Sequence, residues 1–197
     1  MFVSRADAVF LMIASFAAAV LTTVLSVSAI VGYFAGPTAL VLPIASNQRP
    51  VSGLELESSG HFTSLEATIP DLPDGPATLL AWGVTLNQVG MLAILALVFL
   101  LAYRLRSATL FTPGSVWIVG ACGGTLALAG TAGQLLDGWA RSRLAEMIAA
   151  NGRTPGESYG FSVDLNITPL MTGLILVLVA GVFQYGRRLQ RDTEGLV

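Results

Sequence analysis

The stretch TPLMTGLILVLVAGVFQYG, residues 168–186, decides the fold class of this chain. It runs for roughly 19 residues without a charge, or about 28 Å of α-helix, which is enough to cross the hydrocarbon core of a bilayer. Thr168 is suited to cap such a helix, and Pro169 suits its first turn, where a missing N–H costs nothing. Arg187 and Arg188 follow directly and mark a cytoplasmic exit. The stretch therefore predicts a transmembrane helix whose carboxyl end lies in the cytoplasm.

The composition of the whole chain agrees with a membrane protein. Of its 197 residues, 54% are hydrophobic and only 11% are charged, whereas soluble domains carry about a quarter charged residues. All 10 basic residues are arginines, so Schiff-base chemistry and a phosphate-binding loop lysine are excluded. No basic stripe is present to follow phosphates, so we expect no direct nucleic-acid binding. The single cysteine, Cys122, cannot form an intrachain disulfide.

Three further apolar segments resemble the first, so the sequence predicts an all-α transmembrane four-helix bundle. The first of them carries a cleavage-like Val27-Ser28-Ala29, but its apolar run is too long for a signal peptide, and we expect it to stay uncleaved. The third is expected to continue as one helix to about residue 150, with Asp137 and Arg141 paired at i,i+4. The predicted spans are residues 8–35, 79–103, 115–136 and 168–186.

The placement of the arginines predicts the orientation of the spans. With both termini in the cytoplasm, six arginines lie inside, two of them in the short loop after the second span, where their effect is strongest. These inner groups are also candidates to contact anionic lipid headgroups or a cytosolic partner. We therefore expect a multi-pass protein of the cell membrane with cytoplasmic termini. The inner arginines are Arg5, Arg104, Arg106, Arg187, Arg188 and Arg191.

The outer loops carry the two-residue alternation that is typical of β-strands. Val51–Glu57 and Phe62–Ile69 read as a hairpin, and Leu40–Ile44 offers a further strand. Tyr159–Leu165 alternates in the same way, and we expect it to join the hairpin because two strands alone are marginal. The sequence thus predicts a small antiparallel extracytoplasmic cap from residues 36–78 and 157–166. In layout this looks like the claudin type, although the tryptophan and cysteine signature of claudins is missing.

The spans contain no ionisable group between their ends, which disfavours ion-coupled transport. Asn87, Gln88 and Gln134 supply amides that either hydrogen-bond between helices or line a route for a solute. His61, the only histidine, is expected to be a solvated turn residue rather than a general base, and no set of metal ligands is evident. We predict no catalytic residue, no metal, no cofactor and no enzymatic activity.

The third span is rich in small residues, which allow helix backbones to approach closely. Gly120 and Gly124 form a GxxxG pattern, and Gly123 and Ala127 lie beside it. This set is expected to pack either within the chain or between copies in a homo-oligomer. Packing within the chain is the preferred reading.

Two stretches resemble the bacterial domain-of-unknown-function family 2975. They are Leu110-Phe111-Thr112-Pro113 and a closing pattern formed by Phe183, Gly186, Leu189, Asp192, Glu194 and Val197. The resemblance implies a bacterial inner-membrane protein with four spans. Because members are often encoded beside a small helix-turn-helix regulator, it also implies a cytosolic regulatory partner of that type. It supplies no catalytic residue.

The leading hypothesis is a non-enzymatic membrane protein that acts through protein or lipid contacts, as a sensor, accessory or scaffolding subunit. It is based on the missing intramembrane charge and the predicted ordered cap. The alternative is an oligomeric pore or carrier for an uncharged or lipid-like solute.

Overall fold

The computed structural model describes residues 5–43, 64–106, 113–148 and 165–194. Within these residues four helices are long and apolar enough to cross a membrane, and a two-stranded antiparallel sheet accompanies them. The prediction of an all-α membrane fold with a small antiparallel sheet is therefore confirmed. The elements are α1 (Arg5–Ala35), β1 (Thr38–Pro43), β2 (Ser64–Ile69), α2 (Asp74–Arg106), α3 (Pro113–Met147) and α4 (Thr168–Glu194).

The helix starts follow from local chemistry. At α4 the Asn166 side-chain oxygen accepts a hydrogen bond from the Thr168 N–H at 2.9 Å, so the capping side chain is Asn166 and Thr168 lies in the first turn. Helix α2 begins at Asp74, ahead of the predicted start at Leu79, because the Pro73 carbonyl already accepts from the Ala77 N–H at 3.0 Å. Helix α3 continues to Met147, as predicted from its spacing.

The sheet pairs β1 with β2, and Leu40 lies opposite Ala67 while Leu42 lies opposite Leu65. Strand β2 falls within the predicted strand Phe62–Ile69. The predicted further strand, Leu40–Ile44, overlaps β1. It is therefore the direct partner of β2. The other two predicted strands, 51–57 and 159–165, lie outside the described residues apart from Leu165, which is not in a strand.

The chain divides into two compact units. The helical unit comprises Met1–Val27, Thr85–Gly133 and Asn166–Val197, and the sheet unit comprises Ser28–Val84 and Gln134–Leu165. In the helical unit a buried cluster joins α2, α3 and α4 through Leu97, Val119 and Ala180. In the sheet unit the extension of α3 supplies half of a second cluster, whose buried members are Leu40, Leu42, Leu80, Ala140, Leu144 and Ala145.

Candidate functional site

A polar cluster joins α1 and α2 in the helical unit. The Gln88 amide donates to the hydroxyl oxygens of Thr22 at 3.1 Å and Thr23 at 3.0 Å, and its oxygen accepts from the Ser26 hydroxyl at 3.0 Å. The two threonine hydroxyls in turn donate to the Ala19 carbonyl, at 3.2 and 2.7 Å. Both N–H groups of Gln88 are therefore used within the chain. Such bonds between membrane helices stabilise by about 0.6 kcal/mol each.

The three predicted intramembrane amides thus lie in different surroundings. Gln88 is half-buried and binds α1, whereas the adjacent Asn87 is exposed. Gln134 is half-buried on α3 and belongs to the sheet unit. The hydrogen bonds of Gln88 support the interpretation that it holds helices together, and they leave Asn87 as the amide that remains accessible.

The backbones of α3 and α4 approach each other closely at Gly123 and Gly173. A Cβ atom added to Gly123 would lie 2.7 Å from the Gly173 carbonyl oxygen, and one added to Gly173 would lie 2.5 Å from the Gly123 carbonyl oxygen. The second of these would also lie 2.7 Å from the Cβ of Ala127. No side chain larger than hydrogen fits at either position without moving a helix. The contact between Gly123 and Gly173 therefore lies within one chain, and it is called the glycine seam below.

The other small residues of α3 divide between contact and open space. Gly120 approaches Ala180 of α4, where an added Cβ would make an ordinary contact at 3.5 Å. Gly130 is closer to α4, since an added Cβ would lie 2.8 Å from Pro169. Gly124, the second glycine of the predicted GxxxG pattern, has nothing within 4 Å of an added Cβ. The tight seam is thus built on Gly123 and not on the Gly120–Gly124 pair.

In the sheet unit, Arg141 ties the extension of α3 to strand β1. Its Nε and Nη2 donate to the Asp137 carboxylate at 2.7 and 3.3 Å, and its Nη1 donates to the Val41 carbonyl at 3.0 Å. The predicted i,i+4 pair of Asp137 and Arg141 is confirmed. The salt bridge is about one-third exposed, so its own contribution is small. Its structural effect is to aim the guanidinium at the strand.

The two faces of the sheet differ in character. One face carries Leu40 and Leu42, which are buried against α2 and α3. The other face exposes Ala39, Val41, Glu66 and Thr68, and Val41 is 52% accessible. Single exposed apolar residues are normal on protein surfaces, so this face is distinguished by its accessibility on a strand whose backbone is bound by Arg141. The sheet unit therefore presents a fixed outer platform, defined by these four exposed residues.

An arginine side chain makes a defined contact in each of the two units, Arg143 in the sheet unit and Arg104 in the helical unit. The Arg143 guanidinium lies 5.2 Å from the centre of the Trp139 ring, a cation–π geometry at a partly exposed position. Arg104 approaches the start of α3, where an added Cβ on Gly114 would lie 3.0 Å from its guanidinium. The remaining predicted contact arginines lie at helix ends: Arg106 at the end of α2, and Arg187, Arg188 and Arg191 in the last turns of α4.

The contacts given above for the described ranges are packing contacts, hydrogen bonds, a salt bridge and a cation–π contact. Within them no group of three or more His, Cys, Asp or Glu side chains could hold a metal ion. His61 lies outside the described residues, as do Leu110, Phe111 and Thr112 of the resemblance motif.

These features together define a multi-pass helical membrane protein with a small antiparallel sheet packed on helical extensions. Comparison of the chain with protein-family models, with curated proteins and with solved structures gave no match. The resemblance to the bacterial family therefore stays a prediction.

Sequence reasoning missed several of the residues that make these contacts. Thr22, Thr23 and Ser26 stand at spacings 1 and 3 on α1, a signal for one polar helix face that was available in the sequence. Gly173 is one of three glycines in the apolar run 168–186, and nothing local indicates that it meets Gly123. The bond from Arg141 to the Val41 carbonyl joins positions 100 residues apart, and side-chain patterns do not predict it.

Proposed function

We propose that this chain is a non-enzymatic membrane protein that acts through contacts made by the outer platform of its sheet unit, as a sensor, accessory or scaffolding subunit. The observation that carries the proposal is the clamp from Arg141 to the Val41 carbonyl at 3.0 Å. It holds a strand whose inner leucines are buried while its outer residues stay accessible. Rigid, partly apolar surfaces of this kind bind without a large loss of conformational entropy.

The proposed setting is a bacterial plasma membrane with both termini in the cytoplasm. The support is the excess of arginines at the ends of α2 and α4 that lie away from the sheet-forming segments in sequence. In this orientation the platform faces outward. The arginines at the inner ends of α2 and α4 then contact anionic lipid headgroups. They are Arg104, Arg106, Arg187, Arg188 and Arg191.

The resemblance to the bacterial family adds a proposed partner on the inner side. A cytosolic helix-turn-helix protein would contact the carboxyl-terminal part of α4, which continues as helix to Glu194. The chain itself would touch no nucleic acid. In this proposal, binding of a molecule at the outer platform is signalled through the chain to that partner.

The proposed function is tested by reversing one charge on the platform. Glu66 lies on the exposed face opposite Val41, and Asp71 is an exposed acid beyond the end of the same strand. Glu66→Arg and Asp71→Arg change the net charge equally, so the second is a matched control. We expect affinity purification of the wild type in mild detergent to recover a specific partner that Glu66→Arg loses and Asp71→Arg keeps. A monomer that binds nothing, or equal recovery with both variants, contradicts the proposal.

An alternative proposal is a pore or carrier for an uncharged or lipid-like solute. The observation that favours it is the exposed Asn87 amide in a membrane helix. The use of both Gln88 N–H groups by α1 weighs against it, because a route for a solute needs several accessible polar groups. Flux through liposomes that falls in Asn87→Leu supports the alternative, and flux that is unchanged removes it.

A further inference from the structure

We propose that the side of α2 marked by Asn87 binds a second copy of this chain, and that the two Asn87 amides hydrogen-bond to each other across a two-fold axis. This goes beyond the proposed function, because a protein that acts through its outer platform has no need of a dimer. It also differs from the oligomer expected from the glycines of α3, since Gly123 is used within the chain.

The contacts of α2 leave two of its sides open. Gln88 faces α1 through hydrogen bonds with Thr22 and Ser26, and Gly90 faces α3, where an added Cβ would lie 3.6 Å from the Gly130 nitrogen. Two residues correspond to about 200° of rotation around a helix. The neighbours α1 and α3 therefore contact α2 from nearly opposite directions.

One open side of α2 is suited to lipid alone. It exposes Val89, Ala96 and Tyr103, which lie near one line along the helix because they are spaced by seven residues. Two of these side chains are apolar, and the tyrosine lies near the end of the helix, where aromatic residues are common at the membrane surface. Nothing on this side requires a protein neighbour.

The other open side carries Asn87, with Met91 exposed one turn further along. Asn87 lies roughly two turns beyond Leu79, the predicted start of the span. The Asn87 side chain is exposed and makes no hydrogen bond to any part of the chain that the structure describes. A polar group in lipid is costly unless it finds a partner.

Three further residues lie on this side of α2. Asn87, Met91, Ile94 and Val98 are separated by four, three and four residues, so they lie near one line along the helix. None of the four is fully buried in the single chain. The side that carries Val89 and Ala96 has the same spacing, so the feature that distinguishes the two sides is the Asn87 amide.

The chemistry of the amide selects a second copy as the occupant. A carboxamide both donates and accepts, so it is complementary to itself. A two-fold axis beside Asn87 places the same residue of each chain face to face, as in other isologous contacts. The hydrocarbon core of a bilayer offers neither donors nor acceptors, so lipid at this depth would leave the amide unpaired.

The inference is tested by cross-linking full-length protein in native membranes. Cys122→Ser removes the only cysteine, and in this background Met91→Cys, which keeps Asn87, is compared with Val89→Cys and Ala96→Cys under copper–phenanthroline oxidation. We expect at least a tenfold higher yield of disulfide-linked dimer for Met91→Cys than for the other two. Equal yields at the three positions, or no dimer at Met91→Cys, overturn the proposal.

A second measurement covers the case in which a cysteine disturbs the contact. The mass of the purified protein is measured in mild detergent for the wild type, Asn87→Leu and Asn87→Gln. We expect a dimer whose dissociation constant rises at least tenfold in Asn87→Leu and much less in Asn87→Gln, which keeps the amide. A dimer insensitive to Asn87→Leu, or a wild type that is monomeric or bound to a different protein through α2, contradicts the inference. Neither result depends on the Glu66→Arg comparison.

Discussion

The guanidinium of Arg141 holds the carbonyl of Val41 at 3.0 Å while it forms a salt bridge with Asp137 one turn earlier on α3. A helix that continues beyond the apolar span thus fixes a strand that is 100 residues away in sequence. The bond connects the membrane helix to the surface that we propose to be functional.

Loss of this bond should loosen β1 more than it lowers global stability. Arg141→Ala removes an exposed bond to a backbone carbonyl and a partly exposed salt bridge, so we expect a cost of about 0.5–1.5 kcal/mol in the sheet unit. Hydrogen exchange at the β1 amides measures it. Arg143→Ala, which loses the contact with Trp139 on the same helix, is the control and should leave the β1 amides nearly unchanged. Equal effects of the two variants would show that the Val41 contact contributes nothing.

The glycine seam predicts that substitutions at the adjacent residues Gly123 and Gly124 have different effects on stability. Gly123→Ala places a methyl group 2.7 Å from the Gly173 carbonyl oxygen, and overpacking of this kind costs about 1–3 kcal/mol. Gly124→Ala enters open space, so its effect should stay within about 0.5 kcal/mol. Unfolding in mixed detergent micelles distinguishes them. A Gly124→Ala variant as unstable as Gly123→Ala would mean that the seam is placed one residue wrongly.

The polar cluster predicts that Gln88 is needed for the association of α1 with α2. Gln88→Leu removes its three hydrogen bonds with Thr22, Thr23 and Ser26, and at about 0.6 kcal/mol each the expected loss is about 1–2 kcal/mol. Asn87→Leu, on the adjacent position, should leave the unfolding of the monomer unchanged. Steric trapping or unfolding by detergent measures both. The interpretation fails if Gln88→Leu is as stable as the wild type.

The proposed orientation predicts which positions react with an impermeant thiol reagent. In a Cys122→Ser background, Asp71→Cys should be labelled in intact cells, whereas Val197→Cys should be labelled only after the membrane is opened. The reason is that the arginines after α2 and α4 retain those ends in the cytoplasm. Labelling of Val197→Cys from outside would invert the assignment of the platform.

The sequence predicts the parts of this fold that depend on local patterns. Apolar runs give the four membrane helices, because the bilayer requires backbone groups to pair within each segment. The spacing of Leu136, Ala140 and Leu144 gives the extension of α3, and the alternation of Leu65, Ala67 and Ile69 gives strand β2. Both patterns reflect burial of one face, which repeats with the period of the element.

Contacts between distant segments are less accessible to such reasoning. The pairing of β1 with β2 spans the region from Pro43 to Ser64, and the sequence pattern favoured a nearer hairpin partner for β2. Gly123 meets Gly173 only because α3 and α4 are antiparallel at one register, and a glycine carries no side-chain pattern that reports a register. The hydrogen bonds of Gln88 are difficult to predict for the same reason, since its hydroxyl partners lie more than 60 residues away.

The most direct test of the central claim, that this membrane protein acts through its outer platform, is quantitative recovery of its partner from cells in which the matched pair Glu66→Arg and Asp71→Arg replaces the wild type. We predict that a stoichiometric partner accompanies the wild type and Asp71→Arg and is lost with Glu66→Arg, while all three proteins reach the membrane at equal levels. Recovery that is the same for all three, or no partner for any of them, would contradict the account.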